Sequence, residues 1–413
     1  MELMDKPWKI GCIGAGGQAL KLMRLFVDTV PPERAVLAAV RPSGPEEAAA
    51  NPVIQSHGIR CVDTVGELLN HCELDAVLIP TSIHSHLDYT RQALEAGLHV
   101  LVEKPVAATI DEVDAMIELR DRHRLTVAVG YQGTYTPSTQ WVKETILGGG
   151  IGKVLRARLT GLWPRRDSYY NRNDWAGKLR AGDQWVLDSP ANNALAHQIN
   201  FALYFTGKDR HTSNQPVAVE TELYRARPGI DNFDTGAIRC ETEAGCPLLI
   251  LLSHACAEAD GPVVEIIGES GIIRRRDNAC ELERDGTIVE KREDDAVPER
   301  FMYENFLDKL EGKTNNVLCA LENGRAQTLV INGAAAASPV RPVPETHVRR
   351  VVPEGAPEGD GVFAIEGLPA LFAEAFSSFR LPSETGMAEW TRPPGRLDLS
   401  DFTRFPGVPE PAG

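Results

Sequence analysis

At 413 residues and 45.1 kDa the chain is too long for one ordinary core, and at about 150 residues per domain it is expected to fold as two main units. A composition of 43% hydrophobic and 24% charged residues is that of a globular protein and excludes both the apolar-poor signature of disorder and a collagen-like chain. The balance of 43 Lys and Arg against 58 Asp and Glu gives a net charge of -15, the opposite of the field a phosphate-backbone binder needs, so no nucleic-acid partner is expected.

The chain starts MELMDKPWKIGCIGAGG, with acids and a Trp where a secretory leader needs a basic start and an apolar stretch of roughly 7 to 15 residues. No leader is expected. The longest apolar runs, such as 247–252, fall far short of the roughly 18 to 20 residues a membrane span requires, so no membrane association is expected. Eight cysteines, at 12, 61, 72, 240, 246, 256, 280 and 319, form no Cys-x-x-Cys pair. They read as reduced, buried thiols of a cytoplasmic protein, with no metal site.

Along the first third, short apolar runs at 9–13, 36–40, 76–79, 99–102 and 126–130 alternate with helical patterns at 18–29, 86–96 and 111–123. Near-continuous apolar strands joined by helices predict a parallel sheet covered on both faces, a doubly wound α/β domain over 1–130. Directly after the first run stands Gly14-Ala15-Gly16-Gly17-Gln18-Ala19, a G-x-G-x-x-A turn opening a helix. The first glycine allows the tight turn, the second lets the backbone approach a pyrophosphate, and the small third residue lets helix and strand pack closely. A dinucleotide site is expected there. At the end of the second strand, where an Asp or Glu would bind the ribose of NAD, the text is Val40-Arg41-Pro42-Ser43. With no carboxylate at that strand end, Arg41 and the Ser43 hydroxyl suit a 2′-phosphate, and the reading leans from NAD(H) to NADP(H). Arg41 stacked on adenine or facing solvent is the alternative.

After residue 150 the pattern changes to longer strand-like stretches, at 154–163, 217–227, 236–241, 248–254, 263–268 and 271–275, then a hairpin around Asp285-Gly286. Turn residues tolerant of positive φ punctuate them. With helices at 300–310 and 322–337 they predict an α+β domain over 131–337 built on a mostly antiparallel open sheet. From Ser338 the chain is rich in Pro and Gly, and 338–413 is expected to be an irregular extension wrapping the body.

Several separated motifs agree in order and setting: Pro80-Thr81-Ser82-Ile83-His84, then Ala96 through Glu103-Lys104-Pro105, Gly130-Tyr131-Gln132, Gly149 through Val154, and Ala196-His197-Gln198-Ile199-Asn200. On these residues the chain resembles the glucose-fructose oxidoreductase/inositol dehydrogenase (Gfo/Idh/MocA) family over roughly residues 7 to 337. The resemblance implies a Rossmann domain paired with an open-sheet domain, a homodimer or homotetramer formed through that sheet, and redox chemistry on sugars and cyclitols.

Glu103-Lys104-Pro105 follows a parallel strand at the carboxyl edge, where open α/β sheets bind ligands. Lys104 is expected to steady negative charge on a reacting oxygen, with Glu103 orienting the backbone beside it. His84, past the exit of the 76–79 strand, is expected with Pro80 to shape the nicotinamide pocket. Removal of a hydroxyl proton calls for a base titrating near neutrality, and His197 is the candidate. The family pattern places an Asp four residues earlier, on the same helical face; here Asn193 holds that position and the nearest upstream carboxylate is Asp188. Asn193 is expected to orient the imidazole or to bind a substrate hydroxyl, and Asp188 to supply the charge if the intervening turn folds back. The stretch 163–175, WPRRDSYYNRNDW, suits a polyol, with Trp163 and Tyr169 covering C–H faces and Arg165 meeting hydroxyls or an anionic group. Together these residues predict an NAD(P)-dependent oxidoreductase interconverting a secondary alcohol and a ketone on a sugar, glycoside or cyclitol. A non-catalytic sensing protein and an NAD-assisted glycoside-cleaving enzyme are the alternatives.

Overall fold

The alternating runs of the first third pair side by side in the computed structural model, which describes residues 6–294 and 297–409. The first five residues, on which the reading of the N-terminus partly rests, lie outside the described residues. Six strands, β1 (Trp8–Ile13), β2 (Ala35–Arg41), β3 (Arg60–Cys61), β4 (Ala76–Ile79), β5 (His99–Glu103) and β6 (Val127–Gly130), are ordered β3-β2-β1-β4-β5-β6 and all parallel. This is the doubly wound order, in which the reversal beside β1 opens a ligand crevice at the carboxyl ends of the strands. Every residue of β4 and of β6 is buried, as a strand covered on both faces requires. The two-residue β3 and three short helices between β2 and β4 were not expected from the sequence, because none is long enough to show a period. Helix α1 (Gly17–Thr29) buries Ala19, Leu22, Met23 and Phe26, an i, i+3, i+4, i+7 stripe.

The chain forms two compact units. The first holds the residues up to Ala107, Glu112–Thr136 and a later segment ending at Gly324; the second holds the rest. The second unit contains β7 (Val154–Leu162), the short pair β8 (Arg180–Ala181) and β9 (Gln184–Trp185), then β10 (Pro216–Arg225), β11 (Thr235–Thr242), β12 (Leu248–Ser253), β13 (Asp260–Gly268), β14 (Ile272–Arg276), β15 (Ala279–Arg284) and β16 (Thr287–Glu293). The large sheet runs β16-β15-β14-β13-β7-β12-β11-β10. These eight strands are antiparallel except between β7 and β12. Asp285 and Gly286, with φ of 49° and 73°, make the tight β15–β16 turn that their sequence signals.

The stretch after Ser338, expected to be irregular, is substantially ordered. Its β17 (Val340–Pro342) and β20 (Gly395–Asp398) both pair with β10, while β18 (Val348–Val351) and β19 (Val362–Ile365) form a separate hairpin. Its helix Leu368–Ser378 packs Leu368, Leu371, Phe372 and Ala375 against Leu249 and Leu251 of β12. On the other face Leu248, Ile250 and Leu252 meet the helix Ala196–Phe205 and the Ala326–Ala334 part of another helix. The large sheet is thus buried on both faces at β12. Six of the eight cysteines are buried, Cys61 is exposed and Cys72 half-buried, and none is in a disulfide. Among the described residues no helix is long and apolar enough to cross a membrane, and no group of three His, Cys, Asp or Glu side chains has metal-holding geometry.

Candidate active site

In the first unit β1 runs into the glycine turn at the sheet's carboxyl edge. Gly14 has φ +98°, which a side chain would strain, and its N–H donates to the Arg41 carbonyl at 2.7 Å. Gly16 is extended and begins α1, whose first turn has neither a capping side chain nor an acid. A Cβ on Gly14 would meet that of Ala19 at 3.5 Å, so helix and strand pack closely here. Buried Asn51 clamps the turn, donating to the Ala15 carbonyl at 2.7 Å while its own oxygen accepts from Val53 and Ile54 N–H. An uncapped helix N-terminus behind a bare glycine backbone fits a pyrophosphate.

The end of β2 lacks a carboxylate, but one arrives from the next helix, α2 (Pro45–Ala50). Glu47 accepts from Ala15 N–H at 3.2 Å and from Ser43 N–H at 2.5 Å. A Cβ on Gly16 would lie 2.5 Å from its other oxygen. Sequence reasoning missed Glu47 because it sits a turn of helix beyond the strand end. Arg41 keeps a buried Nε without a hydrogen-bond partner.

At the next two strand exits Pro80 is buried, while His84 is half-buried in the single 3₁₀ turn Ile83–Ser85. The Lys104–Pro105 peptide is cis. Glu103 accepts from Lys104 N–H at 2.9 Å and from the Gln18 amide at 3.1 Å, a backbone-orienting role that also ties β5 to the start of α1. Burial pushes the Glu103 carboxyl up, against the opposing pull of Lys104 and Gln18. His86, to which no site role was assigned, joins both exits. Its ring nitrogens lie 3.0 Å from the Thr81 carbonyl and 3.0 and 3.2 Å from those of Pro105 and Val106. Burial lowers its pKa while the three carbonyls oppose the shift.

In the second unit Asp188, Asn193 and His197 follow β9. The expected single helix over Asn193 and His197 is not formed: residues Pro190–Ala194 make one π-helical turn, Leu195 breaks the helical dihedrals with φ −107° and ψ 15°, and the α-helix starts at Ala196. Proline at the start of the turn and the Leu195 N–H bonded to the Pro190 carbonyl at 2.9 Å account for the wider winding. That turn folds Asp188 back onto Asn193, whose amide donates to it at 2.7 Å. The buried carboxylate also accepts from Gly177 N–H at 2.6 Å, with Arg172 at 4.0 Å. His197 is half-buried in the first turn of its helix.

In the same unit Trp163 and Arg165 leave the end of β7 beside the end of β12. The Arg165 guanidinium lies 4.5 Å from the Trp163 ring and 4.7 Å from that of Tyr169. Burial raises the pKa of Tyr169, Asp188 adding to the effect. The expected groups therefore divide between the units: the glycine turn, Arg41, Ser43, Pro80, His84, Glu103 and Lys104 belong to the first, and Trp163, Arg165, Tyr169, Asp188, Asn193 and His197 to the second.

Residues 8–131 match the family model of the GFO/IDH/MocA oxidoreductases with an NAD-binding Rossmann fold, and residues 139–274 match the GFO/IDH/MocA C-terminal domain. The rhizopine catabolism protein MocA of Rhizobium meliloti is 25% identical over 282 residues, 65% of this chain and 78% of that protein. Inositol 2-dehydrogenase of Klebsiella pneumoniae is 24% identical over 271 residues, 64% of this chain and 73% of that protein. Among solved structures, levoglucosan dehydrogenase in complex with NADH and levoglucosan superposes with a TM-score of 0.68 at 17% identity, covering 80% of this chain and 96% of the other.

Proposed function

The chain belongs to the Gfo/Idh/MocA family of NAD-binding oxidoreductases, and from that membership we propose that it oxidises a secondary alcohol, or reduces the matching ketone, on a sugar or cyclitol. The relatives named for inositol and levoglucosan support that substrate class. Bound NAD would supply the hydride acceptor. Its pyrophosphate would rest on the turn from Gly14 to Ala19, and Pro80 and His84 would shape the ring site.

His197 takes the hydroxyl proton and Lys104 donates a hydrogen bond to the reacting oxygen, steadying its charge. Asn193 is a positioning residue. A neutral amide does not stabilise an imidazolium by charge, but this amide is bonded to the buried Asp188 carboxylate, and that contact carries the proposal. It answers the lack of an Asp four residues before His197. On the cofactor, Arg41 and Ser43 suit a 2′-phosphate whereas the Glu47 carboxylate, reaching them from α2, opposes one. We take NAD(H) as the working cofactor.

Kinetics on a panel of polyols and free and phosphorylated sugars test the assignment. Lys104→Ala and His197→Ala are each expected to lower kcat by about 10²- to 10⁴-fold. Near-normal turnover in both would refute the roles. Glycoside cleavage without net formation of reduced nicotinamide would replace oxidoreduction by NAD-assisted elimination.

A further inference from the structure

Many arginine side chains in the second unit pair with a carboxylate. Arg166 pairs with Asp360, Arg227 and Arg350 share Asp167, Arg158 and Arg274 share Glu265, and Arg172 approaches Asp188. Arg165 is different. Its guanidinium makes no ion pair or side-chain hydrogen bond with any described residue, and its Nε is buried without an acceptor.

Nor is this a loose surface chain. Trp163 N–H donates to the Ser253 carbonyl at 2.8 Å and Arg165 N–H to that of His254 at 3.2 Å, which fixes the segment along the extension of β12. The guanidinium then sits against the rings of Trp163 and Tyr169, while the other face of the cluster is closed by Arg172, 3.6 Å from the Tyr169 ring centre. His254 lies edge-on to Tyr169 at 5.8 Å. Its Nδ1 faces the Trp163 carbonyl at 2.8 Å, and burial together with Arg165 lowers its pKa to about 3. It is neutral and offers no counter-charge. Ring stacking answers the faces of a guanidinium but not its edge, and the buried Nε–H left without an acceptor is costly. Trp163 stays 38% exposed and Arg165 is half-buried, so the pair is open to a ligand.

Resting on the sugar or cyclitol reading above, we propose that the substrate carries an oxyanion, a sugar carboxylate or a sugar phosphate, and that Arg165 binds it through its in-plane fork. Trp163 and Tyr169 hold the fork flat and present C–H-binding faces beside it. The anion completes the pairing that the protein leaves open, so a neutral sugar of the same shape gives up the charged contact.

Calorimetric titration of the NAD-saturated full chain with D-glucuronate, D-glucose 6-phosphate and D-glucose tests this and separates the two anion sources. The wild type is expected to bind one of the anions about tenfold or more tightly than glucose. Arg165→Met, which keeps the stem over the rings, is expected to collapse that ratio towards one, and Arg165→Lys to restore part of it. The ratio is an internal control for misfolding. Equal affinities for anion and glucose in the wild type, an unchanged ratio in Arg165→Met, or no binding of either anion would overturn the proposal. An anion held through Arg165 with no NAD reduced by any probe would sink the oxidoreductase instead. Oxidation of neutral polyols with the same kinetics in Arg165→Met would preserve the oxidoreductase and sink the anion.

Discussion

Two strand-to-helix junctions carry the candidate chemistry, and they work by different means. Between β1 and α1 the functional groups are backbone N–H donors, and side chains matter chiefly by being absent: Gly14 at φ +98°, Gly16 where a Cβ would strike Glu47, Ala19 where helix meets strand. Between β9 and the helix at Ala196 the functional groups are side chains, and the backbone matters by its irregular winding, with Leu187 at φ +46° and a π-helical turn after it. A backbone device leaves a spaced pattern of small residues. A side-chain device built on an unusual turn leaves almost none.

The sharpest way to break that contrast is Asn193→Asp. It restores the carboxylate that the family pattern places four residues before the histidine, yet here it sets a second acid against Asp188, where the amide now donates at 2.7 Å. Two carboxylates in contact do not both ionise near neutrality, and one of the pair has its pKa raised. With the pair singly protonated at low pH and repelling at high pH, kcat of Asn193→Asp is expected to fall about 10- to 100-fold at pH 8 and to recover towards pH 5.5. Asn193→Ala loses the link without gaining a titration, so its deficit should not vary with pH in this way. A pH–kcat profile of Asn193→Asp that overlays the wild type would show that the Asp188 contact is structural only.

The same contrast explains what could be read from the chain. The parallel sheet and the glycine turn were legible because their geometry dictates residue type. The Asp188–Asn193 pair was legible only as a condition, that the intervening turn fold back, because a five-residue spacing brings side chains together only in a wider turn than the α-helix. The ordered C-terminal stretch was misread from its prolines, although Pro369 and Pro382 stand in the first turns of helices, where proline is at home. A better signal lay in β12: in a sheet that is mostly antiparallel, the unbroken run Leu248 to Leu252 calls for cover on both faces. Leu249 and Leu251 receive theirs from Leu368, Leu371 and Phe372.

Glu47 tests the first junction more gently, since there a side chain has entered a site otherwise made of backbone. Its carboxylate holds Ala15 N–H of the glycine turn and Ser43 N–H after β2, and so puts a negative charge beside the position where a 2′-phosphate would have to sit. Glu47→Gln retains an oxygen for both N–H groups and removes only the charge. The ratio of Kd for NADP(H) to that for NAD(H), measured by titration calorimetry, is expected to fall about tenfold, the scale of one like-charge contact near a protein surface. Adding Arg41→Ala should reverse part of that fall, because the guanidinium then no longer draws the phosphate in. If Glu47→Gln leaves the ratio where it was, the carboxylate merely caps the loop, and cofactor choice returns to the end of β2.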